Sequence, residues 1–281
     1  MRVIEINDPK FGAFDGLIKT TPKKEHLGSV VRGDTTIIIN GEVSVIYQIL
    51  NEEQVKFARH ITLNTKPVST QRTWGIPTQS SVFGTMPRLP LRVDYCRYSA
   101  KSKEEKANYK LAFELGKIIC EIYKNSLPEE YENAVTQTLG SVHKDWLPVE
   151  GLPFTTCNFN INHAIKYHRD TGNVKNTFSN VLILKKEVIG GYLVCPELGI
   201  TFEQADRALI IFNGQKIVHG VSPVKFLNKG SYRSSVVFYI LEQMKHCYPY
   251  QQELERVAKR KTIVAKNKSE GINPYKTKHG A

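Results

Sequence analysis

The segment Tyr167-His168-Arg169-Asp170 sets an imidazole and a carboxylate two residues apart, and a second imidazole, His219, follows 49 residues after Asp170. Side chains alternate faces along an extended strand, so His168 and Asp170 would point the same way there. Two imidazoles and one carboxylate can occupy one face of a metal ion and leave three positions open, a donor set that suits ferrous iron. No thiolate accompanies them, which fits a redox-active centre better than a closed structural zinc site. The connection from Asp170 to His219 is long enough for two hairpins, which can return His219 to the side of His168. The His-x-Asp pattern alone is weak, because a strand histidine is usually a satisfied core residue.

Arg233, fourteen residues beyond His219, opens the apolar run Ser231-Tyr-Arg-Ser-Ser-Val-Val-Phe-Tyr-Ile-Leu. A charge at the head of such a strand is unfavourable unless it is paired. A guanidinium that grips a carboxylate through two parallel bonds meets that requirement. On a strand, Arg233, Ser235, Val237 and Tyr239 share one face, so a cation, a hydroxyl and an aromatic ring would line one cavity. The alternative leaves Arg233 in an ordinary ion pair at a sheet end. A metal triad facing a buried arginine implies a dicarboxylate co-substrate between them.

These side chains need a frame. From Thr155 to Leu241, short apolar segments (178–184, 192–194, 200–202, 208–212, 217–221 and 234–241) alternate with the turn pairs Gly172-Asn173, Gly190-Gly191, Asn213-Gly214 and Lys229-Gly230. That texture predicts an antiparallel sandwich or jelly roll. Upstream, Thr35-Thr-Ile-Ile-Ile-Asn ends at Asn40-Gly41, a hairpin signal, with a partner strand from Val43 to Leu50. Asn51 opens a short helix to about His60. Residues 66–100, rich in Pro, Gly, Ser and Arg, read as long ordered loops. The longest helix is expected to start at Ser102, whose hydroxyl and Glu105 form a capping box. Pro128 starts the next helix, and a last one spans about Gln251 to Lys261.

Of 281 residues, 41% are hydrophobic, enough for a substantial core and against global disorder. No apolar run is long enough to span a membrane, and Met1-Arg-Val-Ile-Glu-Ile-Asn-Asp lacks the apolar segment of a signal peptide. The five cysteines are odd in number and never form C-x-x-C, which argues against a disulfide scaffold and for a reducing cytoplasm. The net charge is +12, and eight Lys/Arg against one acid fall between Arg256 and Ala281. Such a tail suits either a phosphate backbone or a solvated terminus.

The sequence resembles the Fe(II)/2-oxoglutarate dioxygenases, and more narrowly the TET/JBP family of nucleobase oxygenases, especially its phage-encoded members. The match is carried by Phe83-Gly84, Pro87-Arg88, Pro90-Leu-Arg-Val-Asp-Tyr-Cys-Arg-Tyr-Ser, Tyr167-His-Arg-Asp-Thr-Gly-Asn, Gly190-Gly-Tyr-Leu, Gln215 through Pro223, and Tyr232-Arg-Ser-Ser-Val-Val-Phe-Tyr. It covers roughly residues 70 to 262. The resemblance implies His168, Asp170 and His219 as iron ligands, with Arg233 and Ser235 on the distal carboxylate of 2-oxoglutarate and O₂ as the other co-substrate. It also implies that Asn173 hydrogen-bonds the target base and that Tyr239 stacks on it. Leu241 stands where the animal relatives carry a base-contacting histidine, and their cysteine-rich zinc region has no counterpart.

Asn158 and Asn160 share the parity of His168. On one continuous strand they would face the cavity and the co-substrate carboxylate nearest the metal; the alternative is surface turn asparagines. Arg72, Arg88, Arg92 and Arg97, near Trp74, Phe83 and Tyr95, suit phosphate or stacking contacts to nucleic acid, or else a solvated loop. His163 and His246 have no partner pattern and are expected to be structural or surface residues.

The expected architecture is α+β, mainly β: a double-stranded β-helix (jelly-roll, cupin-like) core over 71–262, with helices packed on one sheet. An N-terminal α/β extension (1–70) precedes it, and a basic tail (263–281) follows. The expected activity is hydroxylation of the 5-methyl group of 5-methylcytosine or thymine in DNA, in the cytoplasm (of the host, for a phage-encoded chain). DNA would be held through the tail and the Arg-rich loops, with no membrane and no obligate protein partner. The competing readings are an oxygenase acting on an RNA base, an N-alkylated base or a protein side chain, and a non-catalytic module that binds modified DNA.

Overall fold

The computed structural model describes residues 2–71, 77–88 and 95–271. Its first part carries β1 (Arg2–Ile6), β2 (Ser29–Val31), β3 (Thr35–Ile39), β4 (Glu42–Ile49), α1 (Glu52–Asn64), β5 (Val68–Gln71), β6 (Pro77–Met86) and β7 (Arg97–Tyr98). Three helices follow: α2 (Ala100–Glu104), α3 (Lys106–Ser126) and α4 (Pro128–Leu139). The second half carries β8 (Thr156–Ile161), β9 (Ser179–Lys186), β10 (Val188–Gly190), β11 (Leu193–Cys195), β12 (Ile200–Phe202) and β13 (Ala208–Phe212). It ends with β14 (Gly220–Val221), β15 (Val224–Phe226), β16 (Tyr232–Tyr239) and α5 (Tyr250–Ser269).

Ten strands form a major sheet in the order β1-β3-β4-β13-β9-β16-β8-β6-β5, with β7 on β6. A minor sheet runs β14-β11-β12-β2, and β10 pairs with β15 as a separate ribbon. Alternation along the central strands fills two cores. On β13, Ala208, Ile210 and Phe212 join Val31, Leu193, Ile200 and Phe202 between the two sheets. Leu209 and Ile211 point the other way, onto Val55, Ala58 and Ile61 of α1 and Phe113, Leu115 and Ile119 of α3. A strand buried on both faces reads as one continuous apolar run, as Ala-Leu-Ile-Ile-Phe does.

Local signals explain much of this frame. Asn40 and Gly41 both take positive φ (51° and 85°), the conformation of a tight hairpin turn between β3 and β4. The Asn51 side chain accepts the Gln54 N–H at 2.9 Å and the Gln54 side chain accepts the Asn51 N–H at 3.0 Å, closing a capping box on α1. The strands of the first part join the same sheets: β1, β3 and β4 extend the major sheet from β13, and β2 pairs with β12.

Four expectations are corrected. The span 66–100 contains β5, β6 and β7, with β6 in register on β8 from Gln79–Ile161 to Gly84–Thr156. Its Pro and Gly content hid the strands, although Pro77 occupies a first-residue position that strands tolerate. The longest helix does not begin at Ser102. Ser99 caps the short α2 by accepting the Ser102 N–H, and the Ser102 hydroxyl accepts the Gly84 N–H at 2.8 Å. The last helix continues to Ser269, so the first part of the predicted tail is helical. Finally, Cys96 and Cys247 form a disulfide across a sequence separation of 151, while Cys120, Cys157 and Cys195 are free and buried. An odd count and wide spacing carry no information about such long-range pairing.

Behind the His-x-Asp segment lies a buried acid. The Glu197 carboxylate accepts the Gly12 N–H and the Val218 N–H, both at 2.7 Å, and Arg169 at 2.7 and 3.2 Å. Arg169 also donates to Asp15 at 2.7 Å and to the Lys216 carbonyl. Since Arg169 separates His168 from Asp170 and Val218 precedes His219, one carboxylate locks both segments from the outside. Removing one partner of a buried pair leaves an uncompensated charge. Glu197→Ala is therefore expected to lose about 3 kcal/mol in urea unfolding, and an unchanged unfolding midpoint would refute the clamp.

Candidate active site

His168 and His219 face each other across an isolated antiparallel bridge: the His168 N–H donates to the His219 carbonyl at 2.9 Å and the His219 N–H to the His168 carbonyl at 3.0 Å. The Asp170 N–H donates to the Gly214 carbonyl at 2.9 Å. Asp170 Oδ1 then lies 3.6 Å from His168 Nε2 and 3.9 Å from His219 Nε2, and the three donor atoms fall within 4.8 Å of one another. Both Nδ1 atoms are committed, to the Lys166 and Ile217 carbonyls at 2.9 Å each. Donation from Nδ1–H fixes the tautomer that leaves the Nε2 lone pairs facing the centre.

Electrostatics prepare the same state. Burial, together with the neighbouring His168, pushes His219 down to about 4, despite the pull of Asp170, so it is neutral near pH 7. Burial opposes ionisation of Asp170, but contact with His168, the proximity of both imidazoles and the Ser179 hydroxyl outweigh it. Its carboxyl stays well below the usual carboxylate range. The Ser179 hydroxyl donates to Asp170 Oδ2 at 2.7 Å and accepts from Asn173 Nδ2 at 3.1 Å. A methyl group at position 214 would collide with the Asp170 carboxylate, so glycine is required there by close approach.

A cavity of about 520 Å³ opens from this triad. Its lining includes Asn158, Asn160, His163, Asn173, Ser179 and Gln204, and from β16 Arg233, Ser235, Val237 and Tyr239. The alternation expected of β16 therefore holds, with Val236 and Phe238 turned to the helix-side core. Asn158 and Asn160 reach the cavity by a different route from the one expected. No strand runs through them to His168: β8 stops at Ile161, and Asn162 turns the chain at a positive φ of 53°. Asn158 Nδ2 donates to Asn160 Oδ1 at 3.2 Å, and Asn158 Oδ1 is buried without a hydrogen-bond partner among the described residues.

Arg233 is 1% exposed. It donates to the His163 carbonyl at 3.0 Å and to Gln204 Oε1, both neutral, and its Nε has no partner among the described residues. It forms no ion pair there, and burial pushes it down to about 10. The ordinary ion pair considered from sequence is absent among the described residues. The residues fit the group they suggest: an unneutralised buried guanidinium suits an anionic ligand, and two imidazoles with a carboxylate suit a divalent ion.

Sequence reasoning missed Gln204 and Ser179, and no local signal marks them; His163, expected to be structural or on the surface, is buried and lines the cavity. Arg88 is not among the residues lining the cavity. Its guanidinium pairs with Glu253, whose side chain is 1% exposed, and lies over the Tyr248 ring, so it braces the start of α5. Arg97 is partly buried, with a weak hydrogen bond to the Pro87 carbonyl at 3.4 Å. Arg72, Trp74 and Arg92 lie outside the described residues.

Comparison with known proteins agrees with this geometry. A family model, Tet/JBP, described as the oxygenase domain of the 2OGFeDO superfamily, matches residues 88–242. Among solved structures, NgTET1 in complex with 5mC DNA aligns with a TM-score of 0.58 at 15% identity, covering 86% of this chain and 92% of that one. A 2OG-Fe(II) oxygenase family oxidoreductase from Burkholderia pseudomallei aligns at 12% identity with a TM-score of 0.42, covering 70% and 84%. No curated protein matches the sequence significantly. At 15% identity the likeness to NgTET1 speaks for the jelly-roll fold alone. The family match spans more than half of the chain, and with the triad it leads to one conclusion: the protein belongs to the Tet/JBP family of the 2OGFeDO superfamily and is a dioxygenase that uses Fe(II), 2-oxoglutarate and O₂.

Proposed function

We propose that the protein hydroxylates the 5-methyl group of a pyrimidine, 5-methylcytosine or thymine, in DNA. One observation carries this reading: the triad, the buried Arg233 and the pair Asn173–Tyr239 line a single cavity. Arg233 and Tyr239 stand six residues apart on β16, about 20 Å along an extended strand, enough to seat an oxo-diacid near one and a base near the other. The solved complex of NgTET1 with 5mC DNA supports the choice of substrate class.

His168 Nε2, His219 Nε2 and Asp170 Oδ1 hold the iron in this reading. Arg233 and Ser235 anchor the distal carboxylate of 2-oxoglutarate, and Asn158 and Asn160 face the carboxylate nearest the metal. The bound iron, with 2-oxoglutarate and O₂, supplies oxidative decarboxylation coupled to C–H hydroxylation: the methyl becomes hydroxymethyl while 2-oxoglutarate becomes succinate and CO₂. The cofactor carries that chemistry, and the protein's task is placement. Asn173 bonds the base and Tyr239 stacks on it, which requires the nucleotide to leave the duplex stack. Leu241, opposite Asn173 in an isolated bridge, adds an apolar wall. Exposed Lys259, Lys261, Lys266 and Lys268 on α5 meet phosphate.

Incubation with Fe(II), 2-oxoglutarate and DNA containing both candidate bases, followed by nucleoside mass spectrometry, is expected to yield a hydroxymethylpyrimidine. The product should vanish in His168→Ala and in Arg233→Ala. Succinate formed without any modified nucleoside would point to another substrate, and DNA binding without turnover would contradict the enzymatic reading. Ser179→Ala removes the hydroxyl that bonds the Asp170 carboxylate, so Fe(II) affinity should fall roughly tenfold or more, the scale of losses at such supporting residues. Unaltered metal affinity would refute that support.

A further inference from the structure

Arg233 is held by two oxygens, and neither belongs to an acid. Gln204 Oε1 accepts from one terminal nitrogen and the His163 carbonyl accepts from the other at 3.0 Å. Gln204 is itself 1% exposed and lines the same cavity. The acids nearby are engaged elsewhere: Glu203 bonds Arg32 at 2.8 Å, and Asp206 bonds Arg59 at 3.0 Å and accepts the Lys185 N–H at 2.8 Å. Lys185 stands directly opposite Arg233 in the β9–β16 register and adds positive charge to the same end of the sheet.

A glutamate in place of Gln204 would have nearly the same shape and would neutralise the guanidinium. The glutamine orients it through a hydrogen bond and cancels none of its charge. We infer that Gln204 is a positioning residue that sets the preference of this cavity for an anionic co-substrate, by holding Arg233 with a neutral oxygen and leaving its charge for a carboxylate. This rests on the reading of Arg233 as the anchor for 2-oxoglutarate. It adds that the choice of amide over acid, twenty-nine residues away in sequence, decides how strongly that anchor acts.

The consequence is a dissociation of stability from affinity. A carboxylate beside a buried, unpaired guanidinium stabilises the free protein, since the charge already lies out of water. The same carboxylate competes with the ligand for the same donors. A residue with only a packing role would move stability and affinity together.

The test uses the full chain loaded with Mn(II), a redox-silent stand-in for Fe(II). Wild type, Gln204→Glu, Gln204→Leu and Arg233→Met are titrated with 2-oxoglutarate by calorimetry, and each is melted without ligand. Gln204→Glu should melt at or above the wild-type temperature yet bind 2-oxoglutarate at least about tenfold more weakly. Gln204→Leu, which removes an acceptor and adds no charge, should melt lower and bind with intermediate affinity. Wild-type affinity in Gln204→Glu, or failure of that variant to fold, overturns the inference, as does a common ranking of stability and affinity. Arg233→Met separates the two claims. Retained affinity there defeats the anchor itself, whereas affinity lost there and kept in Gln204→Glu defeats only the role of Gln204.

Discussion

A guanidinium sealed inside protein with no acid to neutralise it among the described residues is the constraint on which the rest of this structure turns. Burying an unpaired charge is among the costliest things a fold can do, and such groups persist where a ligand completes them. Arg233 meets only a carbonyl and an amide oxygen, and its Nε meets nothing among the described residues. The geometry of β16 follows from this. The side that carries Arg233, Ser235, Val237 and Tyr239 is given to the cavity, while Ser234, Val236 and Phe238 face the helices. Helices α1 and α3 cover the second face of the major sheet, while the first face carries both the second apolar core and the cavity.

The metal-ligand segments face the opposite problem: they are irregular, paired by only a bridge, and need support from outside. Glu197 supplies it from one side and Ser179 from the other. The N-terminal residues take part as well, since the Gly12 N–H reaches Glu197 and the Lys19 N–H reaches the Tyr167 carbonyl at 2.9 Å. Residues of the expected N-terminal extension thus pack against the segments that bear the triad.

What could be read in the sequence was whatever depends on neighbours in the chain. The two-residue period of Ser231 to Leu241, the Asn40-Gly41 turn and the Asn51 cap act over a few residues, and each appears in the structure; His168 and Asp170 do meet His219, but from an isolated bridge and not from the strand expected. What could not be read depends on contacts between distant positions. Glu197 meets Gly12 across 185 residues, Gln204 meets Arg233 across 29, and the disulfide spans 151. Charge was the poorest guide. Arg88 looks like a phosphate ligand in a list of basic residues, yet it is committed to Glu253 and Tyr248. Among the described residues, the exposed lysines of α5 have no such commitment to a buried acid.

The central claim is that one cavity holds a chelated oxo-diacid between the triad and the arginine. It is tested most directly by titrating 2-oxoglutarate into the anaerobic Fe(II) protein and watching the metal-to-ligand charge-transfer absorption that a chelating 2-oxo acid produces. The account predicts a saturable band in the wild type, no band in His219→Ala, and in Arg233→Met a band that needs far more ligand to saturate. A band that saturates equally well without Arg233, or one that survives the loss of His219, would contradict it.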